Sequence, residues 1–197
     1  MDPAHLFDHP ADVVARRLIG TTLLFHDVGG RVVETEAYDA TDPASHSFRG
    51  PTKRNAPMFG PPGRAYVYRI YGLHWCFNVV CDASSAGSAV LIRALEPTHG
   101  VEGMRQRRGA APFPALCAGP GRLCQALGIG EAVNGARIGP FPLEIKSAGA
   151  PVDVVQGVRV GVRHAADVRR RFGLAGSPFL SRPFPPVPGS QVAVVCA

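Results

Sequence analysis

Lysine is nearly missing from this 197-residue chain: Lys53 and Lys146 stand against nineteen arginines. An amine nucleophile of the Schiff-base kind therefore has few places to come from. The five cysteines, Cys76, Cys81, Cys117, Cys124 and Cys196, are odd in number and form no C-x-x-C pair. That spacing argues against a zinc ribbon and a disulfide framework, and leaves reduced, intracellular thiols. No run of 18 apolar residues occurs, and Met1 is followed by Asp2, Pro3 and His5 rather than by a basic and then apolar stretch. Neither a membrane span nor an export signal is expected. Internal repeats and low-complexity linkers are also missing.

Turn-formers, by contrast, are abundant, with 23 glycines and 19 prolines. They disfavour long helices and favour short strands with irregular connections. A chain of this length that is 46% hydrophobic fits one compact domain. The formal charge of +6 and pI of about 9.4 suit a polyanionic partner, since neutralising phosphates releases counterions. Arginine offers a planar donor fork for phosphate, although the base composition of a gene can produce the same bias.

Residues Pro10 to Leu18 read as a short helix with Val13, Val14 and Leu18 on one face and Gly20 closing it. Strand-like runs are predicted at Thr21 to Phe25, Arg31 to Tyr38, Ala65 to Tyr71, Trp75 to Cys81 and Ala89 to Leu95. Further runs follow at Leu143 to Lys146, Val158 to Val162 and Gln191 to Val195. Helices are predicted over Val101 to Arg108, Pro120 to Leu127 and Ala165 to Arg171. Between Thr41 and Gly63 no periodicity holds, which predicts a long ordered loop of functional use.

All four tyrosines, Tyr38, Tyr66, Tyr68 and Tyr71, fall close together, and the first ends the run Val33-Glu34-Thr35-Glu36-Ala37-Tyr38. Strand alternation puts Glu34, Glu36 and Tyr38 on one face, with Val33, Thr35 and Ala37 on the other. A solvated strand face would explain a bare E-x-E; a site needs convergent partners. In the segment from Ala65 to Trp75, Gly72 supplies the positive φ of a tight hairpin, so Tyr71 sits at or near its tip. An exposed ring beside Arg69 has the form of a wedge between base pairs, and aromatic residues also favour sheets for ordinary packing reasons. Ala118-Gly119-Pro120-Gly121-Arg122 opens a helix with uncrowded N–H groups, a phosphate cradle without the length or G-K-[ST] ending of a nucleotide-hydrolysing loop.

In this order, Val33 to Tyr38, Ser45-His46-Ser47, Tyr66-Val67-Tyr68 with Tyr71-Gly72, Asn78, Leu91-Ile92-Arg93-Ala94-Leu95-Glu96-Pro97 and Leu116-Cys117-Ala118-Gly119-Pro120 resemble the alkyladenine (3-methyladenine) DNA glycosylase family. The resemblance covers roughly residues 11 to 182. It implies a strand-rich α+β fold: one domain with a curved antiparallel β-sheet, a projecting β-hairpin and short surrounding helices. It also implies excision of alkylated or deaminated purines from double-stranded DNA, with no metal and no cofactor, by a monomer of bacterial type in the cytoplasm, associated with the nucleoid and without membrane attachment.

By the same resemblance Glu36 is the catalytic base, and Arg93 and the backbone carbonyl of Val160 help it hold the attacking water. Tyr68 stacks on one side of the extruded base, with Tyr38 and His46 on the other, and Asn78 discriminates against normal guanine. Tyr71 fills the gap left in the helix, while Gly119, Gly121 and Arg122 grip the DNA backbone. A carboxylate at the anomeric carbon suits the chemistry, because glycosidic cleavage builds positive charge on the sugar. Glu34, on the same face, is the rival base, with structural support its expected part. Neither lysine lies in the catalytic strand or the hairpin, so the expected enzyme is a monofunctional hydrolase that leaves an abasic site.

Relative to vertebrate members, the loop before His46 is one residue shorter, Gly121 replaces a serine and Arg122 a lysine, and residues 82 to 88 include an insertion. An N-terminal extension is missing, which suits the bacterial type. Two other readings use the same residues: a non-catalytic module binding damaged nucleic acid, and a nucleosidase acting on free nucleosides.

Overall fold

A computed structural model describes residues 6–139 and 141–185, so the strand expected at Gln191 to Val195 lies outside the described residues. The fold is α+β and strand-rich. Strands β1 (Thr22–Phe25), β2 (Val28–Tyr38), β3 (Ala65–Ile70), β4 (His74–Cys81), β5 (Ser88–His99) and β6 (Leu143–Lys146) form an antiparallel sheet in the order β3-β4-β5-β2-β1-β6. Strands β7 (Val154–Gly157) and β8 (Arg171–Leu174) pair with each other, and β8 pairs with β2. Helices α1 (Ala11–Leu18), α2 (Val101–Arg108) and α3 (Pro120–Leu127) pack around it. None of the helices is long and apolar enough to cross a membrane among the described residues.

The sheet hinges on β2. Along β5 its register shifts between Gly29 and Gly30, between Val32 and Glu34, and between Glu34 and Thr35. Such bulges bend a strand and re-aim its side chains. At the first, a Cβ on Gly29 would stand 1.9 Å from the carbonyl oxygen of Leu23, and one on Gly30 the same 1.9 Å from that of Glu96. Only glycine fits between these crossing backbones, which explains why a pair that reads as a turn lies inside the strand. The second shift breaks the alternation at Val33 alone, which packs with Ala94 and Phe179, while Ala37 joins the main core and the Thr35 hydroxyl donates to the carbonyl of Ala15 in α1, as alternation requires.

Helix α1 buries Ala11, Val14, Ala15 and Leu18, the i, i+3, i+4, i+7 stripe of an amphipathic helix. Val13, expected on that stripe, lies one position off it and is exposed. The main core then gathers Leu23, Val32, Phe77, Val90, Ile92 and Leu123, among others, between sheet and helices. Burial of each such side chain contributes on the order of 1.5–3 kcal/mol.

Two elements differ from expectation. Val158 to Val162 is not a strand, because Arg159 turns its side chain inward to Asp42, Val160 commits its N–H to a side chain and Gly161 takes φ +76. The strand lies earlier, as β7. Ala165 to Arg171 is not a helix: Ala165 sits at φ +47, Arg170 is drawn to Asp12 and Asp39, and Arg171 opens β8.

Candidate active site

The sheet's curvature and the loop between β2 and β3 enclose a hollow of about 430 Å³ lined by Glu36, Tyr38, His46, Tyr66, Tyr68 and Asn78, with Arg93 and Val160 also on its wall. Residues that are up to 124 positions apart in the chain thus meet in one place.

Glu36 is fully buried, at 0% exposure. Its Oε1 accepts the N–H of Val160 at 2.7 Å; its Oε2 accepts the Tyr38 hydroxyl at 2.9 Å and Nη1 of Arg93 at 3.1 Å. Burial pushes its carboxyl above the ordinary glutamate range, with Arg93, Val160 N–H and Tyr38 pulling partly back. Burial likewise opposes the charge of Arg93, but Glu36 and Glu34 more than restore it. The Val160 contact to Glu36 runs through its amide N–H, a different group from the carbonyl expected to help hold the water.

Glu34 has a different environment. It accepts Nε of Arg93 at 2.8 Å, Nε of Arg171 at 2.8 Å, the Ser181 hydroxyl at 2.8 Å and the Ser181 N–H at 2.5 Å. With its lone pairs occupied and no place on the cavity wall, it serves to orient Arg93, whose fork spans both glutamates. Arg171 and Ser181 were not singled out from sequence; the first sits in a run of arginines and the second in a proline-rich segment, and neither carries a periodic signal.

The aromatic wall is built on β3. Tyr66 and Tyr68 stack with centroids 5.4 Å apart, and His46 meets Tyr68 edge-on at 4.4 Å. His46 Nδ1 lies 2.9 Å from the Tyr66 hydroxyl. Burial lowers the pKa of this imidazole, with the nearby charge of Arg54 adding to the effect. Tyr66 packs with Met58, Val80 and Ala89 and is also a member of the wall. His46 leans on Tyr68 rather than on Tyr38, and a base stacked between two rings needs roughly 7 Å, two carbon contact distances. His46 must shift before a base can lie between it and Tyr68.

Asparagine and serine side chains hold the His46 loop. Asn55 donates to the carbonyls of His46 and Gly50 at 2.8 and 3.1 Å, and Ser47 donates to the carbonyl of Gly87 at 2.7 Å. The segment between β4 and β5 therefore braces this loop. Asn78 commits Nδ2 to the Tyr66 carbonyl at 3.0 Å. The hairpin between β3 and β4 projects Tyr71, 84% exposed, and Leu73, 72% exposed. Tyr71 and Gly72 both adopt positive φ, +52 and +67, closed by Leu73 N–H donating to Ile70.

Gly119, Gly121 and Arg122 lie apart from Glu36 and its partners, in a shallow depression at the start of α3 shared with His74 and Arg108. Pro120 lines both this depression and the main hollow. A Cβ on Gly121 would stand 2.9 Å from the Cβ of His74, so glycine at this position lets the hairpin seat on the helix. Among the described residues, no three His, Cys, Asp or Glu side chains are grouped as metal ligands.

A family model described as methylpurine-DNA glycosylase matches residues 5–178. A protein of Nitrosospira multiformis provisionally named 3-methyladenine DNA glycosylase is 59% identical over 171 residues, covering 87% of this chain and 89% of that protein. Similarly named proteins of Nitrobacter winogradskyi and Rhizobium johnstonii are 57% and 52% identical, covering 87% and 90% of this chain and 82% and 88% of theirs.

Proposed function

Since this chain belongs to the methylpurine-DNA glycosylase family, we propose that it extrudes damaged purines (3-methyladenine, 7-methylguanine, hypoxanthine and ethenoadenine) from duplex DNA and hydrolyses their N-glycosidic bond. The observation that carries this is Glu36: a buried carboxylate on the wall of a ring-lined cavity, held by Arg93, Tyr38 and the Val160 amide.

A base within a duplex is out of reach of such a recess, so the nucleotide must rotate out of the stack. Tyr71 then occupies the space it vacates. Tyr38, Tyr68 and His46 stack on the extruded purine, while Asn78 faces it as the discriminator against guanine. A raised pKa suits Glu36 to accept a proton near neutral pH. Glu36 takes a proton from water as the water oxygen bonds to the anomeric carbon. The bond to the purine nitrogen breaks, its electron pair leaves with the base, and an abasic site remains. Arg93 and the Val160 N–H hold the carboxylate in place, Arg93 and the Val160 carbonyl help it hold the water, and the developing positive charge on the sugar is stabilised by the nearby anion.

Neither lysine lines the cavity, which supports hydrolysis without a lyase step. Gly119, Gly121 and Arg122 contact the phosphate backbone near the hairpin. The protein acts as a monomer in the cytoplasm, with damaged duplex DNA its partner and no cofactor. Single-turnover release of the four bases from one duplex sequence tests the reading: excision of at least hypoxanthine is expected, and release from none of the four would refute it.

A further inference from the structure

We propose that Arg159 determines specificity in the base pocket: its guanidinium, seated behind Tyr38, biases stacking on that ring toward uncharged damaged bases and against cationic ones. This rests on the reading of the hollow as a base pocket.

The Arg159 side chain is wholly buried, and its guanidinium carbon lies 4.8 Å from the Tyr38 ring centroid. Tyr38 lines the cavity and Arg159 does not, so the cation occupies the face of the ring turned away from the base. It is fixed there. Nη1 donates to the Ala37 carbonyl at 3.2 Å and to Asp42, and Nη2 donates to Asp42 Oδ1 at 3.0 Å. The remaining Nε–H is buried without a partner among the described residues, so hydrogen bonding leaves the guanidinium nothing better to turn toward on that side.

A ring's negative face attracts a cation, and one already held on the far side draws on the same π density. A second cation on the near face meets a polarised ring and a like charge across a water-poor interior, where charges act more strongly than in water. A neutral purine meets neither penalty. The opposite wall differs: Tyr68 stacks with Tyr66, and the guanidinium over its ring, that of Arg54 at 5.8 Å, is exposed to screening solvent. Asp42 offsets part of the Arg159 charge, and Arg170 Nη1 at 3.5 Å from Asp42 offsets part of that. The balance behind Tyr38 can thus be tipped from either partner of the pair.

The test compares single-turnover excision of hypoxanthine, which is neutral, with 7-methylguanine, which is cationic, in one duplex. Arg159→Gln removes the cation and should lower the hypoxanthine to 7-methylguanine rate ratio roughly three- to tenfold. Asp42→Asn keeps shape and leaves the cation unopposed, and should raise the ratio. A loosened loop would move both ratios in one direction. A shift in the same direction in both variants, or an unchanged ratio in Asp42→Asn, overturns the proposal. If Arg159→Gln does not fold, the near-isosteric Asp42→Asn decides alone. Absence of release of either base by the unaltered protein would instead refute the pocket reading beneath it.

Discussion

Ser47 donates its hydroxyl to the carbonyl of Gly87 over 2.7 Å, joining the loop that carries His46 to the segment between β4 and β5. Both partners are pinned, since Ser45 and Ser47 hydroxyls lie 2.7 Å apart and Gly87 N–H donates to the Met58 carbonyl. Ser47→Ala would leave a carbonyl unpaired, at a cost of about 1–3 kcal/mol. Urea denaturation should show that loss, and the DNA concentration for half-maximal excision should rise more than the maximal rate falls.

The pH dependence of excision follows from Glu36. The base role proposed for it needs the ionised form, and burial holds its pKa above the ordinary glutamate value. The excision rate should therefore fall, as pH drops, at a pH above that value. Folding moves the other way for this group: a raised folded pKa contributes stability below the unfolded pKa, which is lost as pH rises through the folded one. Burial also opposes ionisation of Asp39, but hydrogen bonds from Arg170 and Thr41 outweigh it and hold that carboxyl low. Its contribution persists until pH falls through the lowered value, so activity should be lost before structure. Rate and circular dichroism measured across the same pH series check the order.

Tyr71→Ala removes an exposed ring at the hairpin tip and should cost little stability, within about 0.5 kcal/mol. Excision of hypoxanthine from duplex should fall at least tenfold, because the vacated space is left unfilled. A nucleosidase acting on free nucleosides would be indifferent to this change, so assaying inosine alongside duplex separates the two readings.

Gly121→Ser places a Cβ 2.9 Å from that of His74 and should displace the hairpin from α3. Weaker duplex binding is expected, measured by fluorescence anisotropy. The double variant with His74→Gly, which removes the opposing Cβ, should recover part of it.

Much of this arrangement was legible in the sequence because short-range rules carry it. The period-2 pattern puts Glu34, Glu36 and Tyr38 together, and Tyr71-Gly72 announces a hairpin. What escaped depends on contacts across the fold. The bulge at Val33 arises from β2 meeting β5, and Gly29 and Gly30 are needed only where backbones cross. Val158 to Val162 has the composition of a strand, yet Arg159 reaches Asp42, 117 positions away. Likewise, Glu34 and Glu36 look alike in the sequence; Ser181 and Arg171 on one, and Val160 on the other, make them different.

The central claim is that Glu36 supplies the base. Glu36→Gln keeps the shape and an acceptor for the Val160 amide while removing the proton acceptor. In single-turnover assays on hypoxanthine-containing duplex, the variant should bind with near-normal affinity and lose base release by at least a hundredfold, the range general base catalysis supplies. Excision at a rate near that of the unaltered protein would contradict the account.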